Sequence, residues 1–78
     1  MDAEILALLR RTVVTVVPEI DATEVVPDAR LADLGCNSID RADIVTLVME
    51  ELGVQIPVGE FGGDHDVRSL VGLFGAYA

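Results

Sequence analysis

Asp33-Leu34-Gly35-Cys36-Asn37-Ser38-Ile39-Asp40 reads as a tight turn that runs straight into a helix start. Gly35 supplies the backbone freedom such a turn needs. Asn37 is among the best N-cap residues, and Asp40 three positions later completes a capping pattern. With Asn37 as the cap, Ser38 is the first helical residue, and its hydroxyl lies beside N–H groups that have no partner inside the helix. A phosphate ester on that hydroxyl would sit at the positive end of the helix dipole, facing those N–H groups. The same pattern also describes an ordinary helix start, and spacing alone leaves both readings open.

Outward from this point the helical period continues over residues 38–52. Ile44, Leu47, Val48 and Leu52 fall on one side and are assigned to the core. Ile39, Ala42, Thr46 and Met49 fall opposite, bordered by Asp43 and Glu50. Such a helix is either buried all round or presents an apolar strip with an acidic border, a face on which another protein could dock. Met49 suits a docking face because its flexible side chain adapts to different partners. Gly53 ends the helix and Pro57 blocks its continuation.

Residues 56–61 read as one short helical turn and Gly62-Gly63-Asp64-His65 as a flexible break. Residues 66–78 form a last helix with Val67, Leu70, Val71, Phe74 and Tyr77 on one face. Gly72 and Gly75 weaken it by about 1 kcal/mol each relative to alanine. They also leave room for the close approach of another helix.

Upstream, Ile5, Leu9, Val13 and Val16 recur at helical spacing over residues 3–17, flanked by Leu6 and Leu8, with Asp2 as the cap. The β-branched run Thr12-Val13-Val14-Thr15-Val16-Val17 would also suit a strand. The period and the polar first half decide for a helix, stopped by Pro18. Residues 19–33 form a long connection with a turn at Pro27-Asp28 and Ile20, Val25, Val26 and Leu31 as apolar anchors.

With 78 residues the chain is one domain, near the lower end of what folds alone, and its 51% apolar content compensates for that size. A single cysteine, Cys36, excludes an internal disulfide and fits a reducing compartment; it is either a small turn residue or a reactive thiol beside the serine. Fourteen acidic residues against five arginines, with no lysine and a net charge of −9, disfavour nucleic acid and anionic membranes and favour a basic protein partner. Plain solubility would explain the same balance. The Met1-Asp2-Ala3-Glu4 start lacks the basic region of a secretory signal, and no apolar run reaches the ~18–20 residues of a membrane span, so a cytoplasmic protein is expected; a monomer is expected separately. His65 is the only histidine, with no pattern of ligands around it, and reads as a loop or cap residue. No catalytic constellation is visible, so an enzyme is not expected.

Leu34-Gly35-Cys36-Asn37-Ser38-Ile39-Asp40, followed by Ala42-Asp43-Ile44-Val45 and then by Glu50-Glu51-Leu52-Gly53-Val54-Gln55-Ile56-Pro57, resembles an acyl carrier protein over nearly the whole chain. The resemblance implies an all-α fold: a small four-helix bundle with a long loop between its first two helices and a short third helix. It also implies 4′-phosphopantetheine carried on Ser38, installed by a separate phosphopantetheinyl transferase. The family's usual aspartate before the serine is Asn37 here, and Asn37-Ser38-Ile39-Asp40-Arg41 is similar to the free-standing carriers of polyketide β-branching cassettes. Those carriers donate acetyl to a synthase resembling hydroxymethylglutaryl-CoA (HMG-CoA) synthase, after loading by an acyltransferase with malonyl that a ketosynthase-like enzyme decarboxylates, or with acetyl directly. On this reading Ile39, Asp40, Asp43, Met49, Glu50 and Glu51 are the docking residues. Arg41 could pair with Asp40, with Asp43 or with a nearby phosphodiester. A chain-extension carrier of fatty-acid or polyketide synthesis is the near alternative. A non-carrier acidic helical adaptor is the alternative from a different class.

Overall fold

The computed structural model describes residues 2–63 and 65–78. Three α-helices, α1 (Asp2–Val16), α2 (Ser38–Leu52) and α3 (Val67–Tyr77), are joined by connections that contain two 3₁₀ turns, Ala22–Glu24 and Val58–Phe61. The fold is all-helical among the described residues, as expected, but the helix count is three rather than four. The expected short third helix is the single 3₁₀ turn Val58–Phe61, because Pro57 before it and Gly59 and Gly62 around it leave too little chain to propagate an α-helix.

Helix α1 starts at Asp2, which stands in the first turn with Glu4 where their charge complements the helix dipole. Its β-branched second half stays helical because burial of the stripe that runs through Leu9 and Val13 outweighs propensity, and the Thr12 and Thr15 hydroxyls are satisfied by donating to the carbonyls of Leu8 and Arg11, both at 2.8 Å. Pro18 ends it, with Val17 N–H still donating to Val13 at 2.8 Å. Ile5, Leu8, Leu9 and Val13 are buried, and α2 and α3 each pack on α1 and barely on each other.

The long connection is tied down along its length. Ile20, Val25 and Leu31 are buried as anchors, whereas Val26 is 41% exposed, since it opens the turn around Pro27 in which Ala29 N–H donates to its carbonyl. The Arg10 side chain donates to the Val25 carbonyl at 2.8 Å. Val67 and Arg68 N–H, left without intrahelical acceptors at the start of α3, donate to the Ala29 and Pro27 carbonyls at 2.8 and 3.0 Å. Asp66 caps the same helix end by accepting from Ser69 N–H at 2.8 Å. The loop therefore arrives at the turn before α2 in a fixed place.

From α3, Val67, Leu70, Val71 and Phe74 are buried. Tyr77 instead turns outward and donates to the Glu60 carboxylate at 3.3 Å. Gly75 backs onto Asp2 and Ile5 of α1, while a side chain at Gly72 would meet nothing within 4 Å. Close approach of another helix therefore holds for Gly75 alone. Of the expected break at residues 62–65, Asp64 lies outside the described residues.

Candidate functional site

The turn before α2 closes as a Schellman motif. Gly35 takes φ of +109°, and the N–H groups of Gly35 and Cys36 donate back to Ala32 and Leu31 at 3.3 and 3.1 Å. The apolar contact that accompanies this motif is supplied by Leu31 and Cys36, both 3% exposed. Cys36 is thus a core residue of the turn. Burial pushes its thiol above the ordinary value, Asp40 adds to the shift and Arg41 opposes it, so the thiol stays protonated near neutral pH.

Directly after Cys36, Asn37 caps α2 in a reciprocal box. Its side chain accepts from Asp40 N–H at 2.8 Å, and the Asp40 carboxylate accepts from Asn37 N–H at 3.1 Å. Arg41 N–H goes to the Asn37 carbonyl at 3.0 Å, which leaves the N–H groups of Ser38 and Ile39 as the open donors of this helix end. Ser38 is the first residue of α2 and is exposed.

Beside Ser38 opens a cleft of about 490 Å³. Ser38, Arg41, Val45 and Met49 follow one another at steps of three and four residues and, with Ala42 beside them, make one wall from α2. Val58 and Phe61 of the second 3₁₀ turn form the facing wall, with Leu31 and Leu70 between. Arg30, Arg41 and His65 bring positive or titratable groups to an otherwise largely apolar lining. Phe61 is anchored by Phe74, ring centroids 5.8 Å apart and planes tilted by 47°. His65 Nε2 lies 3.0 Å from the Glu60 carbonyl, so the ring closes the chain between this turn and α3. Among the described residues no group of three metal-ligating side chains converges.

Helix α2 therefore has three faces where the sequence suggested two. Ile44 and Val48 are fully buried against α1. The cleft face took Met49 out of the exposed strip, and it is half-buried. Leu47, expected in the core, is 41% exposed, because α1 covers only the narrow stripe through Ile44 and Val48. Leu47 stands instead in line with Ile39, which is 70% exposed, and with Asp43 and Glu50. Glu51 lies at a shallow groove against Leu8, Arg11 and Thr15 of α1. Asp40 is half-buried and engaged in the capping box. Arg41 pairs with neither Asp40 nor Asp43; its guanidinium donates to the Cys36 carbonyl at 3.2 Å. Arg30 and Val45, which sequence reasoning passed over, meet the 58–61 turn at this cleft only through the tertiary fold, Arg30 arriving from the connection before α2. Val45 alone left a signal, lying seven positions from Ser38 on the same face.

The family model for the phosphopantetheine attachment site matches residues 7–74. The chain belongs to this family. The carrier chain is similar to the polyketide biosynthesis acyl-carrier-protein AcpK of Bacillus subtilis (strain 168), 36% identical over 66 residues that cover 85% of this chain and 80% of that protein. Its structure is similar to a chain in the crystal structure of the curacin biosynthetic pathway HMG synthase in complex with acetyl donor-ACP, with a TM-score of 0.86, 30% identity and 97% of both chains covered. The cofactor of the carrier chain is covalently attached 4′-phosphopantetheine. No described helix is long and apolar enough to cross a membrane.

Proposed function

We propose that Ser38 is the attachment point of the phosphopantetheine arm and that the chain is an acetyl donor for an HMG-CoA synthase-like enzyme in polyketide β-branching. The observation that carries the attachment is the placement of one exposed hydroxyl at the start of α2, flanked by open N–H donors and at the mouth of a cleft. The residues suit the group. An arm with an anionic phosphodiester at one end and a largely neutral body fits a lining of arginines beside Ser38 and apolar side chains beyond it, in a volume typical of sites for small molecules. The arm ends in a thiol that holds the acyl group as a thioester. The polypeptide itself holds the arm, offers partial shelter and presents a face to the enzymes that act on the cargo.

That face is the exposed stripe of α2. Ile39 and Leu47 supply apolar anchors, while Asp43 and Glu50 between and beside them supply charge that steers a basic partner. Asp40, Met49 and Glu51 border the stripe, with Asp40 and Met49 also engaged in the cap and the cleft. The donor role is supported by the 30% identity and matching fold of a chain from the acetyl donor-ACP complex. A phosphopantetheinyl transferase, an acyltransferase and a decarboxylating ketosynthase-like enzyme complete the proposed partners, and the chain works as a non-catalytic cytoplasmic monomer.

The test has two stages. Incubation of the apo-chain with coenzyme A and a broad-specificity transferase adds one phosphopantetheine by intact mass, and Ser38→Ala abolishes the gain; persistence of the gain in Ser38→Ala overturns the attachment. Acetyl on the loaded chain then passes to a β-branching synthase faster than from a chain-extension carrier, and Asp43→Lys/Glu50→Lys slows that transfer, most at low salt. Equal transfer from both carriers overturns the donor role.

A further inference from the structure

Arg41 is unexplained by the carrier reading alone. It follows Ser38 by three positions, so the two side chains rise from one face of α2 with Cβ atoms about 5–6 Å apart, and both line the cleft. The guanidinium is held over the turn by a single hydrogen bond to the Cys36 carbonyl at 3.2 Å. Its neighbour Asp40 is turned away into the capping box, accepting from Asn37 N–H. In a chain of net charge −9 with fourteen carboxylate side chains, Arg41 forms no ion pair with any of the described ones. The same rim carries Arg30 and His65, so one cleft gathers three of the six arginine and histidine side chains in a strongly acidic protein. Positive charge concentrated against that background marks the place of an anion.

We propose that Arg41 is a positioning residue that binds the phosphodiester joining the arm to Ser38, and that it thereby lays the arm along the cleft instead of leaving it in solvent. The inference rests on Ser38 as the attachment point. Of the five N–H donors of the guanidinium, one is engaged at Cys36, and the outward edge is left to meet two phosphate oxygens in a paired geometry that an ammonium cannot reproduce. The open N–H groups of Ser38 and Ile39 approach the same phosphate from the helix end. Arg41 makes and breaks no bond; its effect is on where the arm lies.

The experiment compares loaded wild type with loaded Arg41→Gln and Arg41→Lys, each first checked by mass for one added arm. A wild type that gains no arm, or a Ser38→Ala chain that does, refutes the attachment and is thereby distinguished from failure of the present inference. The phosphorus-31 resonance of the diester is then recorded at low and high salt, and the rate at which the arm's thiol reacts with a neutral disulfide reagent is measured with the apo-chain as blank. Wild type shows a salt-dependent resonance that Arg41→Gln lacks, and its thiol reacts roughly 2- to 5-fold more slowly, the range expected of a half-exposed ion pair. Arg41→Lys, which keeps the charge and loses the fork, falls between, and it carries the comparison where Arg41→Gln folds or loads poorly. Loaded variants that match wild type in both resonance and thiol rate overturn the proposal.

Discussion

One wall of the cleft is the fifteen-residue helix α2, capped at Asn37 by a two-way hydrogen-bonded box, closed at Gly53 in a left-handed conformation, and fastened to α1 through the fully buried Ile44 and Val48. The other wall is four residues long, has no side-chain cap, and leaves Val58 88% exposed. The short wall is held by the Phe61–Phe74 contact and by hydrogen bonds that His65 and Tyr77 make to Glu60. The difference teaches how a small carrier divides its labour. The wall that presents the serine is rigid because its position defines the site. The facing wall is held by a few contacts, so a lower local stability is expected there than along α2.

Truncating each wall is the strongest way to break the comparison. Ile44→Ala is expected to cost about 2–5 kcal/mol in denaturant unfolding, because α1 and α2 cannot collapse onto the lost volume. Phe61→Ala is expected to cost only about 1–2 kcal/mol, its ring being half out of the core. Equal losses would show that the two walls are equally embedded.

Next in size is a pair of glycines. Gly35→Ala places a side chain at φ of +109° in open space, so backbone strain alone is tested, and a loss of about 1–3 kcal/mol is expected. Gly72→Ala, in open space within α3, is expected to raise stability by about 0.5–1 kcal/mol through helix propensity. Thermal melting of the two variants reads the opposite signs, and a neutral Gly35→Ala would remove the turn's claim to rigidity.

The smallest effects are those of pH. Partial burial first, and then the Glu60 carboxylate, hold Tyr77 above its ordinary value of 10.0. A group raised in the folded state contributes its full stabilisation below the unfolded value and loses it as pH rises through the folded one. The short wall therefore loosens on the alkaline side of pH 10, and Tyr77→Phe removes that part of the melting profile. The hydrogen bond from Ser69 N–H holds Asp66 below 3.8, so its cap is complete above that value and is lost as pH falls through the lowered one. Asp66→Asn is expected to flatten the acid limb. A melting profile unchanged in either variant denies the corresponding contact a role.

Where the sequence carried local chemistry, it was sufficient. Asn37, Asp40 and Gly53 place both ends of α2 at the residues the structure gives, since caps and left-handed glycines act within a few positions of themselves. Pro18 likewise stops α1 close to where the structure ends it, whereas Asp2, read as its cap, is its first residue, and Asp66, read as the first residue of the last helix, is its cap. The cleft was legible only in outline: residues 56–61 read as a turn, but where they return after Pro57, and how Leu31 and Leu70 meet from either side of α2, is set by tertiary packing. Leu47 shows the same limit: a period of 3.6 tells which residues share a face, but not how much of that face a neighbour covers.

The buried Cys36 has a last consequence for the chemistry of a loaded carrier. A sulfhydryl sealed under the Schellman turn and kept protonated offers no second nucleophile to which an activated acyl group could migrate, and no partner for an unwanted crosslink between two carriers. Chemoselectivity at the tip of the arm is thereby secured by the packing of the turn that precedes it.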